Sequence, residues 1–290
     1  MINGDDINGL GKKLYYFFQS LQYHRIGNPS NIVTNSIKLS LRNVETENKS
    51  PSRILCDAFW ASINYSNLSD QLKSKLYFLD LGCGDGMYGK FIQKLSENNF
   101  GSYTGLDIYK DKKFPTIYGH VMDKAENAHI YIKSKTNIII SQSALEHIEG
   151  DLQTLKSITN KLIENENPFV QIHLMPASSS LWTYLWHGWR QYSKNNLGLI
   201  SETLEKKFST IQIAFPIGGN SSFWVHLKKI TIPSLVRSII FRQKKWRWTQ
   251  QPNINNIILN ATLNDLYVSD KLPTFWALCI MSKDISLKFK

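Results

Sequence analysis

Hydrophobic positions in this chain follow two rhythms that meet near residue 75. Before that point the apolar residues cluster at helical spacing. Leu14-Tyr15-Tyr16-Phe17-Phe18 with Leu21 predicts a short helix, closed by the breaker Gly27-Asn28-Pro29-Ser30. Residues 44–51 are polar and turn-like. Residues 51–67 predict a second helix, with Ser50 placed to accept from its first free N–H groups. Residues 1–74 thus read as an N-terminal helical cap.

From residue 76 the rhythm changes to short continuous apolar runs. Leu76-Tyr77-Phe78-Leu79-Asp80-Leu81 is the first, and such runs mark strands covered on both faces of a parallel sheet. A helix is expected over 87–95, further strands at 102–107, 116–121 and 137–141, a helix over 150–164 and a fifth strand at 169–174. Beyond residue 200 follow a helix (202–208), a strand (211–215) and a final strand (275–281). Strands alternating with helices give an α/β class with a doubly wound, mostly parallel sheet. The domain is expected to run from 75 to 290 and to carry an insertion, residues 218–272, before its last strand.

The first strand delivers the chain into Gly82-Cys83-Gly84-Asp85-Gly86, and a helix follows. Glycines there allow a tight turn and close ligand approach, and the helix start offers free N–H groups. The loop alone is a weak signal. A dinucleotide fingerprint would need glycine at position 87, where Met87 stands. Asp107, twenty-one positions past Gly86 and ending the second strand, can accept from two ribose hydroxyls.

On these residues the chain resembles the class I S-adenosylmethionine (SAM)-dependent methyltransferases. The stretch 78–86 (FLDLGCGDG) is similar to their first motif and 103–108 (YTGLDI) to their second. Met122-Asp123 is similar to the acidic position near the adenine, and 140–148 (ISQSALEHI) to the segment after the fourth strand. The resemblance spans roughly residues 75–175. It implies a Rossmann-like seven-stranded sheet with an antiparallel last strand. It also implies SAM as cofactor, held by Asp80, Gly82, Gly84, Asp85, Gly86, Asp107, Asp123 and Ser141. For Asp80 two places stay open, under the loop or beside the methionine amino group. Asp123 could instead be an ordinary helix cap.

A methyl group on a sulfonium is already activated, so the protein mainly has to position the nucleophile. An oxygen nucleophile also needs a proton acceptor. Glu146-His147 supplies candidates, and His187 is a third. His173, inside the fifth strand, reads as a core histidine. Over 181–192 (LWTYLWHGWRQY), helical spacing would put Trp182, Trp186 and Trp189 on one face. Trp182, Trp186, Arg190 and Tyr192 are accordingly expected to contact substrate, with Arg190 gripping a phosphate or carboxylate. The stretch 173–192 faintly resembles methyltransferases encoded with bacterial surface-polysaccharide enzymes.

Charge adds one thing. The chain carries 34 basic and 23 acidic residues, net +11. Residues 206–264 contain no Asp or Glu but nine Lys and Arg. An anionic partner is expected there. As a helix, 233–248 would set Leu235, Val236, Ile239, Ile240 and Trp246 opposite Arg237, Lys244 and Lys245, a pattern suiting either a lid or an anionic membrane surface. The three cysteines, Cys56, Cys83 and Cys279, form no CxxC pair, so neither a zinc knuckle nor a disulfide framework is expected, and no metal site. The first residues lack a signal pattern and no apolar run nears 18 residues, which reads as cytoplasmic, at most peripheral on the inner membrane face.

The function expected from all this is O-methylation of a sugar in a cell-surface glycan or its lipid-linked precursor. A quinone, lipid or other metabolite stays open as acceptor. RNA is disfavoured, because Ser141-Gln142-Ser143-Ala144 stands where an Asn-Pro-Pro-Tyr-like tetrapeptide would. A non-catalytic interaction module is disfavoured by the intact glycine loop.

Overall fold

The computed structural model describes residues 1–239, 247–267 and 272–290. In chain order the elements are α1 (Leu10–Tyr23), β1 (Val33–Thr34), α2 (Pro51–Ser62), α3 (Tyr65–Leu72), β2 (Leu76–Leu81), α4 (Met87–Ser96), β3 (Phe100–Asp107), β4 (Gly119–Met122) and β5 (Ile138–Gln142). Then come α5 (Asp151–Glu164), β6 (Val170–Pro176), α6 (Lys194–Glu205), β7 (Thr210–Ile217), α7 (Asn220–Val225), α8 (Ile232–Ile239), α9 (Ile254–Asn264) and β8 (Phe275–Ser282).

The strands form one sheet in the order β1-β7-β8-β6-β5-β2-β3-β4. Only β8 runs against the others, antiparallel to both β6 and β7. The sheet has eight strands among the described residues, not seven. The extra one is β1, two residues of the N-terminal segment that pair with Ile213 and Ala214 at the β7 edge. The N-terminal segment therefore does more than cap the domain: it extends the sheet.

The chain starts at β2, winds outward through β3 and β4, then returns to β5 on the other side of β2. That reversal opens a crevice between the C-terminal ends of β2 and β5, where open α/β sheets hold ligands. The central strands are buried on both faces. Phe78, Ile138, Ile140 and Ile172 pack toward α2, α3 and α4, while Leu79, Leu81 and Ile139 pack toward α5.

Three expected helices come out differently. The helix over 51–67 breaks at Ile63-Asn64 into α2 and α3; Ser50 caps α2 by accepting from the Arg53 N–H, and Asn64 caps α3. The stretch 181–192 is not helical. A short 3-10 turn, Ser178–Leu181, gives way to a loop in which Leu185 and Gly188 take positive φ values of 54° and 63°. A right-handed helix cannot pass through those residues. Of the helix expected over 233–248, the part up to Ile239 is described as α8; Ile240, Lys244, Lys245 and Trp246 lie outside the described residues, and Arg247 is extended before a 3-10 turn, Trp248–Gln250. No helix among the described residues is long and apolar enough to cross a membrane.

His173 sits in β6 with no exposed surface, its Nδ1 2.9 Å from the Ser141 hydroxyl. Burial holds it neutral, pushing its pKa down to about 3. The unfolded chain therefore takes up a proton below about 6.5 that the fold refuses. Stability linked to this group is unaffected above that pH and declines as pH falls toward 3, by about 1.4 kcal/mol per unit. His173→Asn removes this dependence. Denaturant melts at pH 7 and pH 5 should show the stability gap between wild type and variant shrinking by about 2 kcal/mol at the lower pH.

Candidate active site

The crevice opens into a cleft of about 850 Å³. Its floor is the loop after β2. Gly84 has φ 53°, a conformation that side chains with a Cβ rarely adopt, and nothing lies within 4 Å of where a Cβ would stand. The loop is thus left-handed at an open spot, where a ligand can touch backbone. Three bonds fix it to β3: the Gly82 and Cys83 N–H groups donate to the Leu106 carbonyl (2.8 and 3.3 Å) and the Gly84 N–H to Asp107 Oδ2 (2.9 Å). Among the described residues, Asp107 Oδ1 carries no protein hydrogen bond. Gly86 starts α4, and Asp85 Oδ1 accepts from the Met87 N–H (3.1 Å).

The other residues expected at the cofactor take varied places. Asp80 is 2% exposed and accepts from the Tyr103 hydroxyl, so its carboxyl braces β2 against β3 beneath the loop. Burial pushes it up to about 7. Asp123 lies beside Asp107, its N–H donating to the Asp107 carbonyl (3.0 Å). Its carboxylate accepts from the Tyr131 hydroxyl, the Asn127 amide and the Lys124 N–H, which hold its pKa below the usual range. Ser141 needs correcting as a ligand-facing residue. Its side chain points into the core at His173, and the next residue, Gln142, faces the cleft instead, its Oε1 accepting from Trp60 Nε1 (2.9 Å). The alternation along a strand explains the exchange.

The cleft's second wall is α2, which the sequence reading left without a role. Arg53 Nη1 donates to the Tyr88 hydroxyl (2.9 Å), Tyr88 donates to Asp57 Oδ1 (2.7 Å), and Lys49 Nζ lies 2.9 Å from Asp57 Oδ2. The roof comes from Tyr184 in the loop after β6, from His226 and Ile230 in the π-helical stretch His226–Thr231 that joins α7 to α8, and from Leu235 on α8. Ile230 packs with Ile54, Ile254 and Ile258, so the basic insertion packs down onto α2. The Tyr184 and His226 rings lie 4.9 Å apart. Burial brings His226 down to about 4.

Behind this wall is a recess of about 90 Å³ that shares Arg53, Gln142 and Tyr184 with the cleft. Glu146 lines it. It is 1% exposed, and among the described residues no other residue gives either carboxyl oxygen a hydrogen bond. Burial pushes its carboxyl up to about 8. His187 also lines the recess. His147 points outward and faces Asp5, with its Nδ1 3.0 Å from Asp5 Oδ2, while His187 Nδ1 is 3.2 Å from Asp5 Oδ1.

The four expected substrate residues line neither cavity. Trp182 is half exposed and meets Phe17 of α1 edge-on at 4.8 Å. Trp186 lies under Lys13 Nζ at 4.0 Å. Arg190 is buried, donating to Asp151 and to the Glu149 carbonyl, and Tyr192 donates to the other Asp151 oxygen (2.7 Å). Rings and guanidinium here fasten α1 and the turn before α5 to the sheet.

The model of the methyltransferase domain family matches residues 58–208, just over half of the chain. No curated protein matches. Among solved structures, the plantazolicin methyltransferase BamL in complex with a desmethyl analogue and S-adenosylhomocysteine is 15% identical, covering 93% of this chain and 97% of that one, with a TM-score of 0.47. A putative sarcosine dimethylglycine methyltransferase from Galdieria sulphuraria is 14% identical, covering 94% and 99%, with a TM-score of 0.48. The glycine loop, the acid ending β3, the reversed last strand and the family match converge: the chain belongs to the methyltransferase domain family and is a SAM-dependent methyltransferase.

Proposed function

We propose that the acceptor is a hydroxyl of an anionic sugar unit, carried on a cell-surface glycan or its lipid-linked precursor. One observation supports this most: the recess that adjoins the cleft presents Glu146, Gln142 and Arg53 next to the Tyr184 ring. Ring faces alternating with hydrogen-bonding groups suit a hydroxylated ring. Arg53 and Lys49 in the cleft suit an anionic group on it.

In this reading Gly84, Asp85 and Asp107 hold the cofactor, with Asp107 Oδ1 directed to its ribose. SAM supplies a sulfonium-borne methyl group. The protein supplies alignment, worth most when nucleophile and methyl are held near contact distance. Gln142 is already oriented by Trp60. Glu146 gives the acceptor hydroxyl a hydrogen-bond partner, and the lid over Ile230 and Leu235 keeps water out. The test is a panel of nucleotide sugars and lipid-linked saccharides incubated with full-length protein and SAM. An O-methylated sugar, identified by mass spectrometry, is the expected product. Transfer to RNA or a quinone, with every saccharide untouched, overturns the reading.

A further inference from the structure

We propose that Asp5, His147 and His187 form a binding site for a divalent transition-metal ion of the zinc class, placed where the N-terminal segment meets the rim of the recess. Each residue offers one ligand atom, and the three atoms lie within 4.8 Å of one another. His147 Nδ1 lies 3.0 Å from Asp5 Oδ2 and His187 Nδ1 3.2 Å from Asp5 Oδ1, so each imidazole nitrogen approaches its own oxygen of one carboxylate at about the ~3.3 Å that separates neighbouring ligand atoms around a tetrahedral zinc. Two imidazoles with one carboxylate suit zinc, iron or cobalt and not magnesium or calcium, which take oxygen donors.

The backbone holds the ligands from three distant parts of the chain. His147 sits in the turn Leu145–His147 after β5. The His187 carbonyl accepts from the Tyr16 hydroxyl (2.8 Å) and from Gln191 (2.9 Å). Asp5 is brought in by the Gly4 N–H donating to the Gly188 carbonyl (2.6 Å) and by the Gly188 N–H donating to Asp5 Oδ2 (3.1 Å). Gly4 is needed for this approach, since a Cβ there would stand 2.7 Å from the His187 nitrogen. The imidazoles meet edge to face, 4.6 Å between centroids, with both Nδ1 atoms turned to the same carboxylate. Three protein ligands leave a fourth position open, as in zinc sites that bind water or substrate.

Full-length protein stripped with chelator and titrated with Zn²⁺ should take up one ion per chain, with Kd about 1 µM or tighter. Cobalt substitution should give the intense visible bands of a four-coordinate site. His147→Ala and Asp5→Asn should each weaken Zn²⁺ binding at least 100-fold and abolish the rise in Tm that Zn²⁺ gives the wild type. S-adenosylhomocysteine binding reports whether each variant is folded. Absence of Zn²⁺ uptake by the wild type, or equal uptake by the folded His147→Ala variant, overturns the site.

Discussion

Asp107→Ala should reduce affinity for S-adenosylhomocysteine by a factor of 100 or more in isothermal titration calorimetry, with the circular dichroism spectrum unchanged. Two losses combine. The first is the ribose partner: hydrogen bonds to a charged acceptor contribute about 1.5–3 kcal/mol each, and 2.7 kcal/mol is about 100-fold. The second is the brace on the loop, because the same carboxylate accepts the Gly84 N–H at 2.9 Å. Gly84→Val tests the loop from the other side. Space does not forbid the side chain, since a Cβ there has no neighbour within 4 Å, but φ 53° does. A β-branched residue is forced either to bear that strain or to refold the loop, and its methyl groups stand where ligand approaches. Both variants should still melt cooperatively. If either binds S-adenosylhomocysteine with wild-type affinity, the cofactor does not sit on this loop.

What the chain made legible, and what it hid, divides by distance along the sequence. The strands from β2 onward and the glycine loop with Asp107 were readable because each rests on local pattern or on spacing within one βαβ unit; the reversal at β8 followed only from the family resemblance, and the two-residue β1 carried no pattern of its own. Ser141 misled by one position, and strand alternation alone decides between it and Gln142. Arg190 looked like an anion clamp because its partner, Asp151, lies 39 residues earlier at the head of α5. The tryptophans of 181–192 fit a helical period that Leu185 and Gly188 break. Arg53, Asp57 and Tyr88 carried no motif at all. Arg53 and Asp57 stand one helical turn apart on α2, and only the fold brings that turn over the loop. Asp5 was invisible as a partner of two histidines more than 140 residues away.

Glu146→Leu should lower acceptor turnover by about 100-fold, leave S-adenosylhomocysteine affinity within a factor of two, and raise Tm by about 2–4 °C. The opposed signs follow from one fact. A carboxyl at 1% exposure that no other described residue hydrogen-bonds is a standing cost to the fold, about 1–3 kcal/mol. Leucine fills a similar volume without that cost, so the folded state gains. A side chain kept there for packing alone would be improved by the change and would leave turnover untouched. A side chain kept as the acceptor's partner removes a hydrogen bond to the reacting group when it is lost, and buried polar sites discriminate steeply on such bonds. Glu146→Gln separates contact from shape: it retains hydrogen-bonding capacity and should fall between wild type and Glu146→Leu in turnover. Steady-state kinetics on the identified acceptor, with parallel thermal melts, decide the matter. Full turnover in Glu146→Leu removes Glu146 from the acceptor site, whatever the melt shows.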